Sequence, residues 1–176
     1  MKSIYTPLAK ETIAQLKAGE EIELNGTVYV ARDQAHRRMA EQYQQTETFP
    51  FPLSGRVIYY MGPAPTPPGA VIGSCGPTTA SRMDPFTPLL LKNGLKGMIG
   101  KGPRSPEVVS AIVKYGAIYF YAYGGCGALY AGRIAENTLV AFADLGPEAV
   151  YRLKLKNFPV TVAIDSSGKN MFAPRD

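Results

Sequence analysis

Arg32, Thr78, Thr79, Arg82 and Lys101 have the side-chain types and spacing to grip a small dianion. The densest group lies in SCGPTTASRMDPF, residues 74–86. Pro77 suits the first turn of a helix, because it lacks the N–H that would be unsatisfied there. A helix opening at Pro77 predicts the hydroxyls and amides of Thr78 and Thr79 at the positive end of its dipole, a ready anion site. Arg82 follows Thr78 by four residues and would share its helix face. A carboxylate held there takes a bidentate guanidinium contact while facing a threonine hydroxyl. The same spacing also describes a capped helix carrying a solvated arginine.

The run VYVARDQAHRRM, residues 28–39, places Arg32 where a strand gives way to a helix, a position favoured for ligand contact in α/β folds. Arg37 and Arg38 read as solvated helix residues. His36, one turn beyond Arg32, has the pKa range of a general acid or base, although a lone histidine also fits a structural role. In GMIGKGPRSPE, residues 97–107, Lys101 stands between Gly100 and Gly102. Flanking glycines let backbone approach a ligand closely, and the ammonium adds a point charge. The phosphate-loop pattern GxxxxGK[ST] is missing, and a lysine on a hairpin tip gives the same motif. In YAYGGCGALYAG, residues 121–132, the glycines fit a tight turn with helix packing. Cys126 has no base near it in sequence, so the segment reads as architecture.

The elements that must position these groups follow from periodicity and punctuation. A helix is expected from Thr6-Pro7 to a stop at Lys17-Ala18-Gly19. Ile22 and Leu24 then alternate with glutamates, and Asn25-Gly26 predicts a type I′ hairpin turn with a return strand over Thr27–Ala31. Asp33 can cap a helix over Gln34–Gln44. After the Pro-rich 49–52 comes an apolar strand, Val57–Tyr60. GPAPTPPG, Gly62–Gly69, reads as a rigid surface loop, and Ala70–Gly73 as a short strand. Ser74–Asp84 is a loop entering a helix interrupted by Pro85 and Pro88. The second half alternates: a strand at Gly97–Gly100, a helix opened by Ser105-Pro106-Glu107 through Lys114, and a strand at Ala117–Tyr121. Leu139–Phe142 and Val160–Ile164 are further strands, with a helical stretch at Pro147–Leu155 between them. The pattern is α/β with mixed short strands.

Composition excludes several classes. With 176 residues, 45% hydrophobic and 19% charged, the chain can bury a sizeable core and is not disordered by default. Its 18 glycines and 15 prolines are spread along the sequence, which implies many tight turns. No stretch approaches the ~20 apolar residues of a membrane helix, and the N-terminal run lacks a signal-like apolar core. The expectation is a soluble, cytoplasmic, single domain over 1–176. Two cysteines and one histidine are too few for a disulfide framework, a self-contained cluster or an ordinary zinc site. The net charge of +5 comes from scattered basic residues, which favours a small anionic ligand over nucleic acid or a membrane surface.

Together these segments resemble the C-terminal part of class I fumarases, the iron–sulfur hydro-lyase family that includes L(+)-tartrate dehydratases. The matching pieces are TPL…LKAGE, GTVYVARDQAHRRM, GPTTASRMD, IGKG, GGCGALY and FPVTVAIDSSG, in the family's order across nearly the whole chain. The resemblance is to the separate β subunit of the two-chain form, and it implies a swivelling β/β/α three-layer domain. It further implies a [4Fe-4S] cluster held by three cysteines of a partner α subunit, with one iron left open as a Lewis acid. Cys75 and Cys126 match no cluster ligand, so no metal site is expected in this chain. Carried over by position, Arg32, Arg82 and Lys101 would hold the carboxylates of a C4 dicarboxylate, with Thr79 beside them. Thr78 would also contact substrate and move the proton on the carbon next to a carboxylate. The implied activity is reversible hydration of fumarate to (S)-malate within a hetero-oligomer. L(+)-tartrate dehydration and mesaconate hydration are rivals on the same charge pattern, and a non-catalytic dicarboxylate-binding module is a rival of another class. A chain that merely shields an oxygen-sensitive cluster is a third.

Overall fold

Along each central strand, alternate side chains enter two different cores. Val28 and Val30 face one, Tyr29 and Ala31 the other; Val57 and Tyr59 oppose Ile58, and Ile118 and Phe120 oppose Tyr119. All are buried, as expected of strands covered on both faces. A computed structural model describes residues 1–174. Its strands are β1 (Lys2–Tyr5), β2 (Glu21–Val30), β3 (Val57–Tyr59), β4 (Gly97–Gly100), β5 (Ile118–Tyr121), β6 (Ile134–Ala141) and β7 (Val150–Ile164). Its helices are α1 (Lys10–Gln15), α2 (Asp33–Thr46), α3 (Thr87–Lys92), α4 (Pro106–Tyr115) and α5 (Gly127–Ala131), with 3-10 segments at Ala80–Met83 and Ala143–Glu148.

The fold is mixed α/β. β2, β3, β4 and β5 run parallel in that order, and β7 pairs antiparallel with both β5 and β2, closing a five-stranded barrel-like sheet. β1 adds in parallel to the start of β2, and β6 adds antiparallel to β7. Tyr29, Ile58, Met98 and Tyr119 share their core with α2, α3 and α4, so those helices pack on the outer face. The opposite set, with Phe158, Val160 and Val162 of β7, fills the enclosed face.

Several expected elements form as read. α4 opens with Ser105 as N-cap, its hydroxyl accepting from the Val108 amide at 3.3 Å, and stops at Gly116 with φ +62°. The Gly62–Gly69 segment has no regular structure and is exposed from Ala64 onward. Others differ. Residues 2–5 form a strand, and the first helix starts only at Lys10. Asn25-Gly26 is not a hairpin turn, because β2 runs straight through it with an irregularity against β7. The reason is tertiary. Gly26 adopts φ +98°, and a Cβ there would lie 2.7 Å from Thr6 Oγ1, while buried Asn25 accepts from the Asn157 amide. Ala70–Gly73 is not a strand. The expected helix at Pro147–Leu155 is a short 3-10 segment followed by the first residues of β7. There the pattern Val150, Leu153, Leu155 serves a two-faced strand rather than a helix stripe.

Candidate functional site

The four parallel strands end on one side of the sheet, and the candidate residues sit on the connections that leave those ends. In open α/β sheets this carboxyl-end rim is the usual place for ligands. Arg32 follows β2 and is the N-cap residue of α2. Its guanidinium lies against Gly62, just past β3, where a Cβ would come 2.6 Å from Nη1. A side chain at residue 62 would displace the guanidinium from this position. Lys101 follows β4, and its ammonium lies over Gly124, just past β5, where a Cβ would stand 3.7 Å from Nζ.

Thr78 and Thr79 are brought to this rim by a device different from a helix N-terminus. Pro77 bridges Met61, and Thr79 bridges Lys101, so the segment crosses from the end of β3 to the end of β4 in extended form. The Thr78 amide donates to Tyr60 O at 2.7 Å, the Lys101 amide to Thr78 O at 3.3 Å, and the Ala80 amide to Lys101 O at 2.9 Å. Those donors are consumed by backbone, which corrects the expected anion site at a helix dipole. Only the 3-10 turn Ala80–Met83 follows, and Thr79 still has extended backbone. Arg82 is thus not one α-turn above Thr78 on a shared face. It is exposed on the short turn, next to the threonines in sequence.

The arrangement brings the hydroxyls of Thr78 and Thr79 and the charge of Lys101 to neighbouring strand ends. Among the described residues, none of the side chains of Thr78, Thr79, Arg82 or Lys101 has a hydrogen bond or ion-pair partner. Arg32 differs: its Nε lies 3.6 Å from Glu148 and 3.9 Å from Asp33. Hydroxyls and cations with free valences, carried on connections at one end of the sheet, are the groups that hold a carboxylate by charge-assisted hydrogen bonds.

Sequence reading missed the group that braces this rim. Arg104 has a fully buried side chain and donates to Asp84 at 2.6 Å, Thr87 Oγ1 at 2.9 Å and Tyr60 Oη at 3.3 Å. It also lies over the rings of Tyr60 and Tyr119. Asp84 accepts the Ser105 amide at 2.8 Å with its other oxygen, so the end of the threonine segment is locked to the end of the lysine loop. The RMD…GPR spacing was visible, but pairing across 20 residues was not. His36 is buried and touches no open surface. Its Nδ1–H donates to Arg32 O at 2.8 Å, and its ring meets Tyr60 edge-on. Burial pulls its pKa down to about 4, so the ring is neutral near pH 7.

The thiols do not form a cluster site. Cys75 is buried, with its pKa pushed up to about 12 by that burial, whereas a thiolate ligand needs the opposite. Cys126 is half-buried, and among the described residues no three His, Cys, Asp or Glu side chains stand together as metal ligands. The residues of this chain do not by themselves fit a [4Fe-4S] cluster.

Comparison with known proteins places this chain in a family. The chain is 38% identical to Fumarate hydratase 2 of Leishmania major over 166 residues, and 38% identical to the aerobic class I fumarate hydratase of Escherichia coli K12 over 168 residues. Those matches cover 93% of this chain but only 29% and 31% of the relatives, so the chain spans under a third of their length. It is also 36% identical to the "Putative L(+)-tartrate dehydratase subunit beta" of Methanocaldococcus jannaschii, over 98% of this chain and 91% of that protein. A family model described as Fumarase C-terminus matches residues 3–174, and the chain belongs to that family.

Proposed function

We propose that this chain is the β subunit of a heteromeric class I fumarate hydratase, interconverting fumarate and (S)-malate in the cytoplasm with a partner α subunit. The observation that carries this reading is the match of residues 3–174 to the Fumarase C-terminus family, together with 36% identity to a protein named as a β subunit. In this reading residues 1–176 act as one swivelling β/β/α domain, and the [4Fe-4S] cluster belongs to the α subunit. The isolated chain is then inactive. L(+)-tartrate is the second substrate to test, because the relative of matching length carries that name.

Within this proposal Arg32, Arg82 and Lys101 hold the two substrate carboxylates, and Thr79 shares that contact. Thr78 takes or returns the proton on the carbon beside a carboxylate. A threonine hydroxyl is a weak base in water, so the role requires the cationic rim and the exclusion of water by the partner. Elimination is trans: the proton leaves one face of the C–C bond and the hydroxyl the other, and the electron pair of the broken C–H bond becomes the double bond.

The test is anaerobic affinity purification of the chain from its own cells, with fumarate and L(+)-tartrate assayed side by side. Co-elution of an iron–sulfur protein with turnover of either substrate supports the proposal, and the faster substrate names the enzyme. In that complex Thr78→Ala and Arg82→Ala are each expected to lower kcat/KM at least ~100-fold, as for a positioned transition-state group. Near-normal turnover by both variants would remove the catalytic assignment and leave the chain as a shield. A chain that elutes alone and binds malate without turnover is a binding module.

A further inference from the structure

Arg32 carries an unusual debt for a residue meant to grip substrate. Its Nε is buried and makes no hydrogen bond among the described residues. Among the described residues its counter-charges are Asp33 at 3.9 Å and Glu148 at 3.6 Å, and of these Glu148 comes from a different part of the chain. Gly62 backs Nη1. The guanidinium thus has the Glu148 carboxylate near Nε without a hydrogen bond and Gly62 beside Nη1, and it remains about a quarter exposed.

Glu148 is delivered there by design of the fold rather than by loop wandering. The antiparallel register Val30↔Tyr151 carries Glu148 and Arg32 toward each other just beyond the last pair of β2 and β7. The 3-10 segment Ala143–Glu148 is also tied to α2 at its far end. Arg38 donates from Nη1 to Asp144 Oδ1 at 2.8 Å and from Nη2 to Oδ2, and it lies over the Phe142 ring. Tyr151 closes the segment from inside, donating its hydroxyl to Gly146 O at 3.0 Å. The segment is thus a strap held to α2 by the Arg38–Asp144 fork and brought by Glu148 against the N-cap residue Arg32, six residues before Arg38.

We propose that Glu148 is a positioning residue for Arg32, and that the Arg38–Asp144 fork is the remote anchor that keeps Glu148 in reach. Glu148 occupies the Nε edge of the guanidinium and leaves the terminal edge to take a substrate carboxylate end-on. This rests on the proposed role of Arg32 in holding a dicarboxylate. Glu148 removes torsional freedom from the guanidinium before substrate arrives, so its effect falls on binding rather than on proton transfer.

The experiment combines kinetics of the purified complex with a direct view of Arg32. Glu148→Gln is expected to raise KM by about 5- to 20-fold with kcat changed less than about threefold, and Glu148→Asp to recover part of the loss. Arg38→Ala, on the surface and remote from substrate, is expected to raise KM by about 2- to 5-fold. The double variant Glu148→Gln/Arg38→Ala is expected to be no worse than Glu148→Gln alone, since both act through one contact. In 15N-labelled full-length chain the Arg32 Nε–H resonance, assigned by its loss in Arg32→Lys, is expected to exchange faster with water in Glu148→Gln and in Arg38→Ala. Unchanged exchange in both variants overturns the proposal, as does a fall in KM, which would make Glu148 a competitor of the substrate. If exchange responds as expected while the wild-type complex turns over neither fumarate nor tartrate, the positioning stands and the dicarboxylate reading fails.

Discussion

An imidazole in a dry core is stable only while it stays neutral, and His36 is held in that state. It donates Nδ1–H to the carbonyl of Arg32, packs against Tyr60 and Phe86, and leaves Nε2 buried without a partner. Burial is the main cause of its depressed pKa, the Arg104 charge adds to it, and the bond to Arg32 and the Asp33 charge oppose it. The unfolded chain therefore takes a proton near pH 6.5 that the folded chain refuses until about pH 4. Stability is complete above pH 6.5, falls as pH drops through that window, and levels off below it, by a total of about 3 kcal/mol. Asp165, whose carboxylate is held below its ordinary value by Ser167 and backbone amides against the cost of burial, adds its loss only at lower pH. Urea unfolding at pH 7 and pH 4.5 checks this; His36→Gln should flatten the difference, and an equal slope in the variant would refute it. At this scale the sequence offers residue types: Arg32, Thr78, Thr79, Arg82 and Lys101 are candidates by charge and hydroxyl, and each has a structural reading beside the functional one. Arg104 and Glu148 did not stand out, since their meaning lies in partners distant along the chain.

Between elements, the connection that matters most is the buried ion pair Asp84–Arg104. It joins the turn bearing Arg82 to the start of α4, and Lys101 lies three residues before Arg104. A buried pair of this kind is costly to break from one side, because the survivor keeps its charge without compensation. Asp84→Ala is expected to cost about 3–5 kcal/mol, while replacing both partners, as Asp84→Leu with Arg104→Met, should restore most of that loss. Chemical denaturation of the two variants measures it, and a double variant no more stable than Asp84→Ala would show that packing rather than charge governs the site. The errors of sequence reading also belong to this scale. Pro77 at a helix start and Asn25-Gly26 at a hairpin are sound local preferences, yet both were overridden by pairing with other segments. Pro77 lies opposite Met61 and Gly26 opposite Thr6, contacts that no local window contains. Helices with their own punctuation, such as α4, were read well.

The molecule as a whole depends on β7, which pairs with β2, β5 and β6 and is the strand that closes the sheet. Sequence showed only its last five residues, because alternation before Phe158 is interrupted by Asn157, at φ +50°, and by charged positions on the exposed face. Closure joins β2 to a strand some 130 residues later, so the enclosed core rests on contacts of long sequence separation. Phe158 is fully buried in that core. Its ring stacks on Tyr130 of α5 at 4.6 Å and meets Tyr59 of β3 edge-on at 5.3 Å. Those tyrosines in turn hold the rim: Tyr59 donates to Cys75 O at 2.6 Å, just before the threonines, and Tyr130 accepts the Tyr123 amide at 2.8 Å, beside the glycines under Lys101. One side chain inside the barrel thus supports both loops of the candidate site from below. Phe158→Ala is expected to cost about 3–5 kcal/mol, the usual loss for an aromatic removed from a packed core. Hydrogen exchange extends the test to coupling: the amides of Cys75 and Tyr123 should lose protection together in the variant. If only amides within β7 respond, the two loops are held independently and the barrel core does not set the geometry of the rim.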